Sequence, residues 1–314
     1  METGWSAGAS AAAPPAKTTG RRLARRNMAY GYAFIAPMMI GFAVFLLGPI
    51  FAVVALSFTD YSFLRPDSRF VGLTNYATAF AADPLLGKTL INTLLFSAGL
   101  IPLNLSMALG LALLLNRKLP GVGLFRTAMF TPVVTSIVVW AIVWKYIFAT
   151  DAGLVNQVLR LVGVQGPAWL YNAGLAIPVV IVVSVLKKVG MNMVIFLAAL
   201  QDVPRLYYEA STIDGASRWK QFTHITLPMI SPSIFLTLII TLIGSLKVFS
   251  QIAVMTDGGP GTSSYVLVYY IYQLAFKRFE FGYASTVAVL LFLLVLALTL
   301  AQWHVRRRWV HHEQ

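Results

Sequence analysis

Apolar residues run along this chain in long stretches divided by short polar ones. A helix that crosses a bilayer needs about 20 mostly apolar residues. Six windows meet that length: Tyr30–Phe58, Thr89–Leu115, Thr127–Phe148, Leu175–Leu200, Ser231–Val254 and Tyr283–Trp303. Hydrophobic residues are continuous within them and do not alternate, so the pattern predicts helices and not the strands of a membrane barrel. Pro37 and Pro49 break the first window. The expected fold is an all-α polytopic membrane protein with six transmembrane helices. Composition agrees: 11 % of residues are charged, against about 25 % in a soluble domain, and mean hydropathy is +0.74.

The polar positions set the topology. A net charge of +13 would suit nucleic acid in a soluble protein. In a membrane chain, Lys and Arg collect in cytoplasmic loops instead. With an even number of spans, fourteen of the 24 Lys and Arg fall on the side of the N terminus and seven opposite, the other three lying within spans. Both termini are therefore expected in the cytoplasm, and nucleic acid is not an expected partner. Residues 1–27 read as a low-complexity, disordered tail, SAGASAAAPPAKTTG, and a basic collar, RRLARRN. The apolar stretch behind the collar is too long for the core of a cleavable signal. A membrane domain then covers residues 28–305, and a basic tail closes the chain at 306–314. Lys187, Lys188 and Lys247 lie inside spans. Such charges face protein or water, or snorkel to the interface. A bend near Gly190 that lined a cavity would ease the first two.

Candidate chemistry is narrow. The chain has no Cys, and its four His are scattered at 224, 304, 311 and 312. Disulfides, thiol catalysis and a metal cluster are not expected. No mid-span Asp or Glu offers ion coupling, so a secondary transporter fits poorly. The non-cytoplasmic loops are short: Asp60–Lys88, Asp151–Asn172 with a surface helix expected over DAGLVNQVLRLVG, and Asp257–Gly282 opening on DGGPGTSS.

One polar insert stands out between the fourth and fifth spans, Glu209–Pro228, EASTIDGASRWKQFTHITLP. A first helix is expected to end near Ile213, with Asp214 capping a second that carries Trp219, Phe222 and Ile225 on one face. A helix–turn–helix with apolar residues beside charges suits docking into a groove on a cytosolic partner. An amphipathic segment lying on the bilayer is the alternative, and for Trp219 and Phe222 so is packing under the chain's own spans. In the fifth span Ser233, Thr237, Thr241 and Ser245 recur every four residues on one face. Their hydroxyls, with Asn104 in the second span, suit a polyol path or helix–helix packing.

The insert resembles the coupling motif of binding-protein-dependent ABC importer permeases, E-A-A-x-x-D-G-A-x(5)-F-x-x-I-x-L-P. Glu209, Ala210, Asp214, Gly215, Ala216, Phe222, Ile225, Leu227 and Pro228 match, and Ser211 departs at the third position. LAALQDVPRLYYEAS before it, and VFSQIAVMTDGGPGTSS and LVYYIYQLAFKRFEFGYAS after it, are similar to the carbohydrate subfamily, in particular the first-type subunit of maltose and glycerol-3-phosphate systems. The likeness spans roughly residues 30–305.

The resemblance implies a permease domain over 28–305 in a bacterial cytoplasmic membrane, with a coupling loop at about 202–230. It implies a second permease subunit in a heterodimer, two cytosolic ATPase subunits that hold ATP and magnesium, and an extracytoplasmic solute-binding protein. This chain holds no cofactor and is not an enzyme; it lacks the glycine-rich loop that cradles ATP phosphates. Glu209, Ala210, Asp214, Gly215, Trp219 and Phe222 would contact the ATPase. By the same resemblance, Ser184, Lys188, Met191, Thr241, Ser245 and Val248 would fall near the solute. The deep lysines would then bind an anionic solute or pair with acids of the partner permease. A sugar is the expected cargo; a phosphorylated polyol or another small solute is the alternative, and a membrane scaffold recruiting a cytosolic protein is the alternative of another class.

Overall fold

The computed structural model describes residues 18–65, 67–117 and 120–309. Their regular structure is helical apart from one antiparallel bridge, Thr59–Phe70. Most of the low-complexity tail, Lys118 and residues 310–314 lie outside the described residues. The chain forms two compact units, Met1–Ala52 and Val53–Gln314.

In the first unit, α1 (Thr18–Phe42) takes in the basic collar and passes Pro37 without breaking. The expected interruption appears only near Pro49. Proline has no N–H to give the carbonyl four residues back, and its ring crowds that carbonyl. The backbone accommodates this with a wider π-turn over Ala43–Leu47, closed by the Gly48 N–H on Ala43 O, before α2 (Gly48–Leu56). Phe34, Met38 and Phe45 stand exposed along the unit.

The second unit continues with α3 (Thr74–Ala81), α4 (Pro84–Leu115), α5 (Val122–Val134), α6 (Ile137–Ile147), α7 (Leu154–Leu161) and α8 (Ala176–Asp202). Next come α9 (Arg205–Ile213), α10 (Arg218–Gln221), α11 (Leu227–Met229), α12 (Ser231–Leu246), α13 (Ser250–Met255), α14 (Leu267–Tyr272) and α15 (Phe281–Trp309). Among the described residues, four helices are long and apolar enough to cross a membrane, and up to six if each of two bent pairs counts as one span.

At the centre is α8. Its first half packs with Phe96 and Leu100 of α4, Ala141 of α6 and Ile252 of α13. The second half meets Ala108 and Ala112 of α4. Both alanines are fully buried; small side chains four residues apart let two helix backbones approach closely. Gly190 does the same toward α5: a Cβ there would lie 2.0 Å from Met129 O. The break that would have eased the lysines is absent, and α8 continues as one helix through Gly190.

The breaks fall in the flanking helices instead. The third window divides at Thr135–Ser136, where α5 and α6 meet at 102°. Pro132 has removed an N–H from the last turn of α5, and Thr135 is extended. The fifth window is not one helix either: α12 stops at Leu246, and α13 starts at Ser250 after the non-helical Phe249.

The loops are tied by side chains. As expected, DAGLVNQVLRLVG contains a short helix, α7. Its buried Asn156 donates to Thr150 O at 2.8 Å and accepts from Trp169 Nε1 at 2.7 Å. Tyr269 donates to the Asp257 carboxylate at 2.8 Å, bracing the turn that opens DGGPGTSS. Asp83 caps α4 through the amides of Leu85 and Leu86 and accepts from Tyr270 (2.7 Å) and Tyr283 (2.6 Å). One carboxylate thus joins α4, α14 and α15. Burial pushes this carboxyl upward, but hydrogen bonds from Tyr283, Tyr270 and the two amides outweigh it and hold it below 3.8. Burial, and then the neighbouring carboxylate, push the Tyr270 hydroxyl above its ordinary value.

A depressed carboxyl stabilises the fold above its unfolded pKa, and that contribution is lost as pH falls through the folded pKa. Asp83→Asn should lower stability by about 1–2 kcal/mol at neutral pH. The gap from the native protein should close as pH falls through the lowered pKa of this carboxyl. Thermal unfolding of both proteins in nanodiscs, at neutral and acid pH, checks this.

Candidate functional site

The polar insert folds as a closed hairpin. Val203 precedes a proline and is held extended, which ends α8. Pro204 then opens α9. The end of α9 is a Schellman turn: the Gly215 N–H bonds Thr212 O at 3.1 Å and the Ala216 N–H bonds Ser211 O at 2.9 Å. Gly215 supplies the left-handed residue this turn needs, with φ +74°, and nothing lies within 4 Å of where a Cβ would stand. Only conformation demands glycine here.

Asp214 does not cap the second helix, as the sequence had suggested. It closes the first, its N–H bonded to Ala210 O, whereas an N-cap needs extended backbone. Ser217 has that backbone, and its hydroxyl accepts from the Lys220 N–H. The helical run then continues from α10 through a π-turn, Phe222–Thr226, into α11. A 66° bend leads into α12.

Side chains brace the two arms. Gln221 Nε2 donates to Ser211 Oγ and Thr212 Oγ1, both at 3.0 Å. The Tyr208 and Thr226 hydroxyls meet at 2.9 Å. Ser211, the one departure from the motif, is thus a hydrogen-bond acceptor that alanine cannot replace. Glu209, Ala210, Asp214 and Gly215 are exposed. Ile213 is 87 % and Trp219 71 % exposed, large apolar groups with no core to join. Phe222 is half-buried, its ring 5.6 Å from that of Trp219. Ile225 packs inward. The expected single stripe therefore splits, because a spacing of three falls 60° short of a full turn at each step.

The candidates within the spans separate into two settings. Asn104, Thr241 and Ser245 are buried between α4, α8 and α12. Asn192 of α8 donates to Asn104 Oδ1 and, at 3.1 Å, to Thr241 Oγ1. Asn104 Nδ2 reaches Val185 O at 3.3 Å. Ser245 donates to Ser97 at 2.9 Å. The hydroxyl face thus turns toward the chain's own helices. Ser184 and Val248 are also buried, and Ser184 Oγ has no hydrogen-bond partner among the described residues. Met191 of α8 is 48 % exposed, and Val194 is exposed too. Lys188 is half-buried, with Nζ 3.3 Å from Gly244 O.

Sequence reasoning missed Asn192 and Ser97. Asn192 did carry a signal, as an amide deep in an apolar window and so in need of a partner. Among the described residues no group of three or more His, Cys, Asp or Glu is placed to hold a metal.

Residues 101–310 match the family described as binding-protein-dependent transport system inner membrane component. The chain belongs to this family. It is 36 % identical to a probable ABC transporter permease protein, YesP, of Bacillus subtilis, over 93 % of this chain and 95 % of that protein. It is also 36 % identical to the lactose transport system permease protein LacF of Rhizobium radiobacter, over 93 % of this chain and 99 % of LacF. Among solved structures, a bacterial ABC transporter involved in the import of the acidic polysaccharide alginate superposes with a TM-score of 0.80. That match has 26 % identity and covers 93 % of this chain and 99 % of that one. The chain is thus a multi-span permease of an ABC importer and not a catalytic subunit.

In this permease Thr241→Val removes one of the two side-chain acceptors of Asn192. Stability should fall by about 1 kcal/mol. The half-saturating solute concentration should stay unchanged. Unfolding and uptake measured on the same preparation separate the two effects.

Proposed function

We propose that this permease carries a sugar, and that its hairpin is the docking element for a separate ATPase subunit. The hairpin carries the proposal. It is an internally braced polar element between two long apolar helices, and it presents Trp219 and Ile213 to solvent. Exposed large apolar groups on a rigid support fit a protein partner's groove. Glu209, Ala210, Asp214 and Gly215 form the polar rim of that surface, and Phe222 backs Trp219.

In this reading α5–α6 serves as span three and α12–α13 as span five, giving six spans in a bacterial cytoplasmic membrane. The hairpin and both termini are cytoplasmic. A second, different permease subunit completes the path. An extracytoplasmic binding protein delivers solute, and two ATPase subunits hold ATP and magnesium. Met191 faces the solute path. Ser184, Thr241, Ser245, Val248 and Asn104 form the layer behind it.

A relative named for lactose transport supports a sugar as cargo. The deep lysines favour a neutral sugar over a phosphorylated polyol. Lys187 donates to three backbone carbonyls, which uses all its N–H groups within the chain, and Lys188 donates to one.

The test is ATP hydrolysis by the complex, reconstituted with its binding protein, across a panel of neutral sugars, polyols and their phosphates. Stimulation by a neutral sugar is expected. Stimulation only by a phosphorylated polyol would overturn the neutral assignment, and none by any member would overturn the sugar assignment. Glu209→Ala should leave the chain in the membrane and lower ATPase co-purification and uptake about tenfold. Unchanged co-purification and uptake would remove Glu209 from the docking surface.

A further inference from the structure

Two adjacent lysines deep in an apolar helix need a reason. Lys187 and Lys188 sit mid-way along α8, about 100° apart around its axis. They point to different neighbours, and each neighbour is broken where the lysine meets it.

Lys187 Nζ donates to Pro132 O, Val133 O and Thr135 O. These are carbonyls at the end of α5 and in the break before α6. The last carbonyls of a helix lack an intrahelical partner, although Pro132 O does take the Thr135 N–H at 3.2 Å. In hydrocarbon, water cannot supply one, and each orphan costs several kcal/mol. An ammonium has three N–H donors, and here all three find carbonyls. Lys188 Nζ donates to Gly244 O at 3.3 Å. Gly244 lies in the last turn of α12, just before the second break. A Cβ on Gly244 would stand 3.2 Å from that amine, so glycine leaves the seat open.

Beyond the breaks, α6 and α13 pack with each other. Ala141 of α6 shares a core with Ile252 and Met255 of α13, filled by Trp140, Trp144 and Phe249. The first halves, α5 and α12, are thus tied to α8 by lysines, and the second halves share their core with the first half of α8, where Trp140 Nε1 donates to Val183 O at 3.0 Å.

We infer that Lys187 and Lys188 are positioning residues that clamp the carbonyl ends of α5 and α12 to α8, so that both broken helices follow the central helix. The clamp lies on a direct route from the hairpin. Lys187 is fifteen residues from Asp202, the end of unbroken α8, and two residues then lead to α9. A shift of the hairpin is carried along α8 to both broken helices together. The inference rests on the proposed docking of an ATPase at the hairpin.

The test compares solute imported per ATP hydrolysed in the reconstituted complex. Lys187→Met should lower that ratio about tenfold. The half-saturating solute concentration should stay within about twofold of the native value. Lys187→Gln keeps N–H donors without charge and should recover at least half of the ratio. A rise in half-saturating concentration in both variants, reversed only by Lys187→Arg, would make the amine a solute ligand and overturn the clamp. A native ratio in Lys187→Met would also overturn it. If Lys187→Met does not assemble, Lys188→Met, which gives up a single bond, carries the same comparison. Failure of the native complex to couple hydrolysis to uptake would instead strike the docking proposal, before any variant is compared.

Discussion

An apolar environment gives backbone carbonyls no second partner, and the arrangement of this permease follows from that constraint. An unbroken helix meets it alone; a broken helix does not. Both flanking helices of the core, α5–α6 and α12–α13, are broken, and both present carbonyls to α8 where a lysine stands. The central helix stays unbroken while its neighbours break. Gly190 serves the same arrangement by letting α5 come close enough for Lys187 to reach.

Polar groups elsewhere in the unit obey the same logic. Asn104, Asn192 and Thr241 satisfy one another across three helices. Asp83 gathers two amides and two tyrosine hydroxyls, so that one short side chain joins three helices. A buried polar network is stabilising when each member is paired and costly otherwise. These networks fix which helix faces meet, a choice that uniformly apolar surfaces leave open.

Helices and hairpin were legible in the sequence because length, hydropathy and turn chemistry are local. The four long spans lie within a few residues of their windows. The end of α9 at Ile213 followed from Asp214-Gly215. The breaks were not legible. Pro132 resembles Pro37, yet only Pro132 borders a break, because Lys187 from another helix satisfies the carbonyls released there. The break at Lys247–Phe249 carries no glycine or proline at all. Thr241 and Ser245 share a face, as their spacing says, but spacing does not tell whether that face meets solute or Asn192 and Ser97. The N-cap went to Ser217 and not to Asp214 because the Schellman turn uses two more residues before the chain can re-enter a helix.

The brace between Ser211 and Gln221 has an evolutionary consequence. The hairpin's shape is held by groups turned inward, whereas Ile213 and Trp219 stand exposed, Trp219 against the ring of Phe222. If the hairpin docks an ATPase as proposed, recognition and architecture reside on separate residues. A gene duplicate can drift at the outward positions and acquire a new motor protein without relearning how to fold, and a shared motor can serve several permeases that differ only in their spans.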